Sequence, residues 1–242
     1  MGKTLLQCTD KSELREISAM IDKFNYKWDR YTILCDIFES FAIAISNQSD
    51  VFYSKKREER EERFKSIMSK YTLQDRQAIT EIINKLFILL SLMPENGFDD
   101  YLGKLYMMSG TSSDKSGQFF TPYNVSKLTA QLSIKEEKIN KFKESGKVLT
   151  IHEPTCGSGG MILAGLDVLW NTYQFNYCEN AFILCGDIDT RCVYMAYIQL
   201  SLAGVPAAIR HQNGLTLETW DEWHTPALKM QYLKFRKYLN LR

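Results

Sequence analysis

The sequence predicts an α/β chain: a helical region over residues 1–110, then a doubly wound unit over residues 111–242 that holds half of a sheet and ends in a helical, basic tail. Three features carry that expectation. Up to about residue 110 the apolar residues recur at spacings of three and four, with no strand pattern. After residue 147, short β-branched runs alternate with helical runs, the order of a parallel sheet with right-handed crossovers. The first of those strands runs straight into a cluster of small residues, PTCGSGG at 154–160.

The elements follow in order. KSELREISAMIDKF has helical spacing, with Thr9 or Asp10 available as N-cap. KWDRYTILCDIFESFAIAIS is apolar on nearly every side, which suits a central helix. SKKREEREERFKSIMSKY mixes charge signs at helical spacing, the pattern of a solvated face. TLQDRQAITEIINKLFILLSLM opens with Thr72 and Asp75 in capping-box spacing and should stop before Pro94. SGTSSDKSGQFFTP is small, polar and loop-like. Thr121 and Pro122 then suit the N-cap and first turn of a helix in PYNVSKLTAQL, and the polar SIKEEKINKFKESGK ends that element.

KVLTIHEP is a buried parallel strand by composition. GMILAGLDVLWNTYQ is helical, NAFILCGDID is a second buried strand, and TRCVYMAYIQLSLAG is a helix closed by Gly204. PAAIRHQNG is a weaker third strand. The remaining tail, LTLETWDEWHTPALKMQYLKFRKYLNLR, shows no buried strand; its end reads as a helix bearing Lys229, Lys234, Arg236, Lys237 and Arg242.

Composition bounds the function. With 45% hydrophobic and 24% charged residues the chain reads as a globular protein, and a net charge of +1 gives no global pull toward nucleic acid or membrane. The six cysteines form no CxxC pair and sit in apolar patterns, so reduced thiols in a cytoplasmic protein are expected. His152, His211 and His224 are scattered, and no metal site is expected. KLFILLSLM is too short to span a bilayer, and the polar start is unlike a signal peptide.

The loop PTCGSGG falls where doubly wound sheets bind ligands, at the carboxyl end of a strand and the start of a helix. Glycine there permits positive φ and a close backbone approach. The first acid at the end of the next strand, Asp187, can accept from both hydroxyls of a ribose. It stands 30 residues after Gly157, beyond the roughly twenty of a nicotinamide fingerprint, and the loop is not GxGxxG. No Gly-Lys-Ser/Thr follows, which excludes a Walker phosphate loop. A nucleoside without a phosphate chain fits better, and S-adenosylmethionine is the obvious one. A tight strand-to-helix turn without any ligand is the plainer alternative. Asp189 reads as the cap of the helix at Thr190.

GQFFTPYNVSKL, EPTCGSGGM, GDID and HQNG, in that order, resemble the adenine-specific DNA methyltransferases related to the M subunit of type I restriction–modification systems. The resemblance covers residues 98 to about 220, starting at FDDYLGKLYMMSG. It implies a helical N-terminal region followed by a Rossmann-like, S-adenosylmethionine-dependent methyltransferase domain, with DNA as partner. By resemblance, Gln118, Phe119, Phe120, Thr121 and Pro122 line the methionine end of the cofactor. Glu153, Pro154, Cys156, Gly157, Ser158 and Gly159 match the cofactor loop, with Glu153 where the family usually has aspartate. Asp187, followed by Ile188, matches the ribose-binding acid, and Asn213 the position that meets the cofactor's adenine.

The family's Asn/Asp-Pro-Pro-aromatic motif, which receives a flipped adenine, has no counterpart among Pro94, Pro122, Pro154, Pro206 and Pro226. The nearest stretch holds Trp223, His224, Thr225 and Pro226, the weak candidates for a base pocket. A complete sheet of this kind needs about seven strands, so the cofactor half alone is expected, with the tail or a second chain over its edge. Two readings stand: an adenine-N6 DNA methyltransferase, and a catalytically inactive cofactor-binding or restriction–modification interaction module. Methyl transfer to another substrate is a third.

Overall fold

The computed structural model describes residues 3–50, 54–108 and 120–239. It divides into two compact units. One takes in Met1–Gly97 and Tyr101–Phe119, the other Phe98–Asp100 and Phe120–Arg242.

The first unit is helical: α1 (Lys3–Asp22), α2 (Arg30–Ser49), α3 (Lys55–Ser69), α4 (Leu73–Ser91), a single turn α5 (Met93–Asn96) and α6 (Tyr101–Met108). α1 is already running at Lys3, so Thr9 and Asp10 lie within it and do not cap it. Asp29, Ser54 and Thr72 cap the next three helices, each accepting from a backbone N–H. Thr72 and Asp75 form the expected reciprocal box. α2 is the central helix, with Ile33, Leu34, Ile37, Phe38, Phe41 and Ala42 buried, while α3 buries only Ile67. Asp36 is buried inside this unit, where the Tyr71 hydroxyl donates to it at 2.6 Å and Lys70 pairs with it at 3.1 Å.

The second unit contains α7 (Tyr123–Ser133), α8 (Glu136–Ser145), β1 (Leu149–Glu153), α9 (Gly160–Asp167), α10 (Tyr177–Asn180), β2 (Ala181–Asp187), α11 (Thr190–Leu202), β3 (Ala207–Gln212), β4 (Thr219–His224), α12 (Pro226–Met230) and α13 (Tyr232–Phe235). The polar stretch after α7 does not merely end that helix; it forms α8 on its own. α9 continues as one π-helical turn over Val168–Thr172. Pro122 occupies the N-cap position of α7, one residue later than its sequence suggests, because its carbonyl accepts from Val125 and Ser126. Asp189 caps α11 as expected, and Gly204 follows that helix with φ +74°.

The sheet order is β1-β2-β3-β4. β1, β2 and β3 are parallel, and β4 runs antiparallel to β3 with a bulge at His211/Gln212. β4 corrects the expectation of a strandless tail. Its six residues bury only Trp223, so no apolar alternation marks it. β2 is buried throughout, the mark of the central strand. One sheet face, through Phe182, Leu184 and Ala208, packs on Leu228 and Phe235 of α12 and α13. The tail therefore takes the β3 edge with a strand and one sheet face with short helices.

Candidate functional site

The carboxyl ends of β1, β2 and β3 converge as the alternation of strand and helix requires. β1 ends at Glu153, and Pro154 and Thr155 turn the chain into Cys156–Gly159. The Cys156 N–H donates to the Gly186 carbonyl at 2.8 Å, which fastens this turn to β2. Gly157 then donates its N–H to Asp187 Oδ2 at 2.9 Å, while Asp187 Oδ1 accepts from the Asp189 N–H at 3.0 Å. Each carboxylate oxygen keeps further acceptor capacity. Asp187 is 9% exposed and Ile188, the next residue, 60% exposed. An acceptor pair and an unburied apolar side chain thus stand side by side at the end of the central strand.

The glycines of the loop are explained by groups of the protein itself. Gly157 has φ +54° and Gly159 φ +93°, a backbone region that side chains disfavour. A Cβ on Gly157 would lie 3.1 Å from the Phe120 ring. A Cβ on Gly160 would lie 2.9 Å from Asp100 Oδ2. Phe120, half-buried, therefore comes directly onto the loop, with Thr121 and Pro122 exposed beside it at the start of α7. α7 is fixed against α9 by Asp167, which is buried, pairs with Lys127 at 2.7 Å and accepts from Asn171 at 2.7 Å. Gln118 and Phe119 lie outside the described residues.

Under the loop the carboxylate of Asp100 is 4% exposed. It accepts from Ser158 Oγ at 2.5 Å and from Gln199 Nε2 at 3.0 Å, and Gln199 also donates to the Ser158 carbonyl at 2.8 Å. Gly159 gives α9 no side-chain cap, so this carboxylate stands beside the helix start, where a negative charge is favoured. A first turn already facing a carboxylate is a poor place for a phosphate, in keeping with a non-phosphate ligand. Sequence reading missed Asp100. Its signal was Gln199, the one amide in the mostly apolar helix α11, which needs a partner when buried.

Cys156 is 7% exposed; its hydrogen bond with Cys185, and then burial, raise its thiol well above the usual range. It is a packed neutral thiol. Asn213 ends up as a turn former: its Oδ1 accepts from Leu215 and Thr216 at 2.9 and 3.2 Å. A Cβ on Gly214 would lie 3.1 Å from the Pro154 carbonyl, so the loops after β1 and β3 touch.

The four residues around 224 are held by structure. Trp223 is 4% exposed against Tyr194 and Tyr197, with ring centroids at 5.5 and 5.1 Å. Thr225 is fully buried: its hydroxyl donates to the Val205 carbonyl at 2.7 Å and accepts from the Ala207 N–H at 2.9 Å, and it caps α12 ahead of Pro226. His224 pairs with Glu222 at 2.6 Å. Trp220 is half exposed and sits 4.7 Å from the His211 ring, whose Nε2 meets the Ile188 carbonyl at 3.1 Å. Among the described residues no group of three or more His, Cys, Asp or Glu could hold a metal, and no helix is long and apolar enough to cross a membrane.

The N-6 DNA Methylase family matches residues 98–232, more than half of the chain. The chain belongs to the N-6 DNA methylase family. That match begins at Phe98, where the second unit begins. The helical region with its four-stranded mixed sheet is a partial Rossmann-like methyltransferase fold. Among solved structures, the type I restriction-modification system methyltransferase subunit from Streptococcus thermophilus matches at 14% identity and a TM-score of 0.46. The alignment covers 88% of this chain and 60% of that one. No curated protein sequence matches.

Proposed function

We propose that this N-6 DNA methylase domain binds S-adenosylmethionine at the carboxyl ends of β1–β3 and serves methylation of adenine N6 in DNA. The observation that carries the reading is the Gly157 N–H on Asp187, which joins the glycine loop to the acid of the next strand. The donor set fits the cofactor. Asp187 supplies acceptors for a hydroxyl pair, Ile188 an exposed apolar surface for a flat ring, and Phe120 an aromatic wall on the loop. Glu153, Pro154, Cys156, Ser158 and Gly159 shape the loop, with Thr121 and Pro122 exposed beside Phe120 and Asn213 fixing the turn after β3, while Gln118 and Phe119 enter the reading by their sequence alone. The bound cofactor would supply an electrophilic methyl group on sulfonium. The chain's own residues bind and orient it.

One observation favours a second reading. These 242 residues contain no Asn/Asp-Pro-Pro-aromatic motif, and Trp223 and Thr225, in the nearest stretch, are taken up by packing and capping. A cofactor-holding module whose base-binding groups come from another polypeptide, such as a restriction–modification component, agrees with that. Calorimetry with S-adenosylmethionine, together with labelled methyl transfer to unmethylated plasmid DNA, tests both. Binding and transfer that Asp187→Ala abolishes support the enzyme. Binding without transfer supports the module. A chain that binds no cofactor refutes both.

A further inference from the structure

We propose that Asp100 is the positioning residue of the glycine loop: a carboxylate that never reaches the ligand but holds Ser158 and the start of α9 where the loop can meet it. The proposal rests on the reading of that loop as the cofactor site. Asp100 belongs to Phe98–Asp100, a three-residue strap within the second unit that is flanked in sequence on both sides by residues of the first. Phe98 anchors the strap, being 5% exposed and edge-on to Tyr177 at 6.1 Å. The carboxylate then takes the Ser158 hydroxyl at 2.5 Å on one oxygen and the Gln199 amide at 3.0 Å on the other.

Gln199 closes the arrangement by donating to the Ser158 carbonyl at 2.8 Å. Ser158 is thus held at both its side chain and its backbone, from a strap 58 residues earlier and a helix 41 residues later. Ser158 and Gln199 are 1% and 0% exposed, so removing the carboxylate takes an acceptor from the buried Ser158 hydroxyl and from one of the Gln199 amide hydrogens. Gly160 leaves the space that lets the carboxylate lie against the start of α9. One residue before Ser158, Gly157 directs its N–H to Asp187. Movement of Ser158 would therefore reach the very contact that joins the loop to β2.

The test uses the full chain and two readouts. Asp100→Asn keeps the shape but cannot accept on both atoms. It should weaken S-adenosylmethionine binding roughly tenfold by calorimetry. It should also speed amide hydrogen exchange at Gly157, Gly159 and Leu163 in protein without added ligand, relative to amides of β2. Ser158→Ala, which retains the carboxylate, should loosen the same amides, and the two losses of affinity should not add. A purely structural role would lower the unfolding midpoint and leave both affinity and these amides unchanged; that result, or fully additive losses, overturns the proposal. If the unaltered chain binds no cofactor, the cofactor reading fails, and the exchange pattern still decides whether Asp100 holds the loop.

Discussion

Replacing Gly160 by alanine should destabilise the second unit, against the ordinary rule for a helix. Gly160 opens α9 and its φ is not in the left-handed region, so alanine there would normally gain up to about 1 kcal/mol. The added Cβ, however, would lie 2.9 Å from Asp100 Oδ2, closer than such contacts occur, and 3.3 Å from its Cγ, which is also tight. The carboxylate cannot swing aside freely, because Ser158 and Gln199 hold its two oxygens in a buried site. Moving it breaks or stretches a hydrogen bond to a charged group, a loss of about 1.5–3 kcal/mol. The net expectation is a destabilisation of about 1–2 kcal/mol, or about 3–6 °C in the melting temperature of a chain this size. Thermal and urea unfolding of the variant measure it. The sign should change in an Asp100→Ala background, where the carboxylate is gone and Gly160→Ala becomes neutral or stabilising. A single variant as stable as the parent, or the same penalty in both backgrounds, would refute the packing argument.

Three other outcomes are expected. Burial pushes the Glu222 carboxyl up, but the His224 and Arg210 hydrogen bonds outweigh it and hold it down at about 2 from 4.5. A carboxyl lowered in the folded state stabilises above its unfolded value and loses that contribution as pH falls from about 4.5 toward 2. Glu222→Gln should therefore cost about 1 kcal/mol at pH 7, with the gap in urea midpoint closing by about pH 2; an equal gap at both ends contradicts this. Thr225→Ala should lose about 2–3 kcal/mol, since it removes the partner of the Ala207 N–H and the cap of α12, while Thr225→Ser should recover most of it in the same unfolding assay. Cys156 and Cys192 should resist iodoacetamide in the folded chain and react on denaturation, by peptide mapping; rapid native labelling of Cys156 would show a reactive thiol where burial and Cys185 predict an inert one.

Local physics made the longer helices and the first three strands readable, but not α8, whose polar run reads as the end of α7. The capping box at Thr72 and Asp75, and Asp189 before α11, each involve residues within three positions of one another, so spacing alone reveals them. β2 is buried on both faces, and its apolar run shows it. β4 was hidden because an edge strand buries one residue in six and carries Asp221, Glu222 and His224 instead, side chains that also blunt an edge against stray pairing. The order of loop, Asp187 and Asn213 was legible because it follows from topology, with each at the carboxyl end of successive strands. What Asn213 does there was not, since its bonds to Leu215 and Thr216 depend on the turn that the chain takes after β3.

The glycine loop shows why sequence and structure answer its central question differently. From the sequence, small residues at a strand end make room for something, and a ligand is the natural occupant. In the fold, the space beside Gly157 receives the Phe120 ring and the space beside Gly160 the Asp100 carboxylate. Neither neighbour is close in sequence, so no local pattern announces it. This does not weaken the case for a ligand; it changes which residues carry it. A loop whose glycines are filled from inside the protein is set in shape before any ligand arrives, and preorganisation of that kind lowers the cost of binding. The groups left for a ligand are then the remaining acceptor capacity of Asp187 and the exposed Ile188. Substitution of the exposed Ile188 should change affinity with little change in stability, whereas substitutions at Asp187, Phe120, Gly157 or Gly160 should change both.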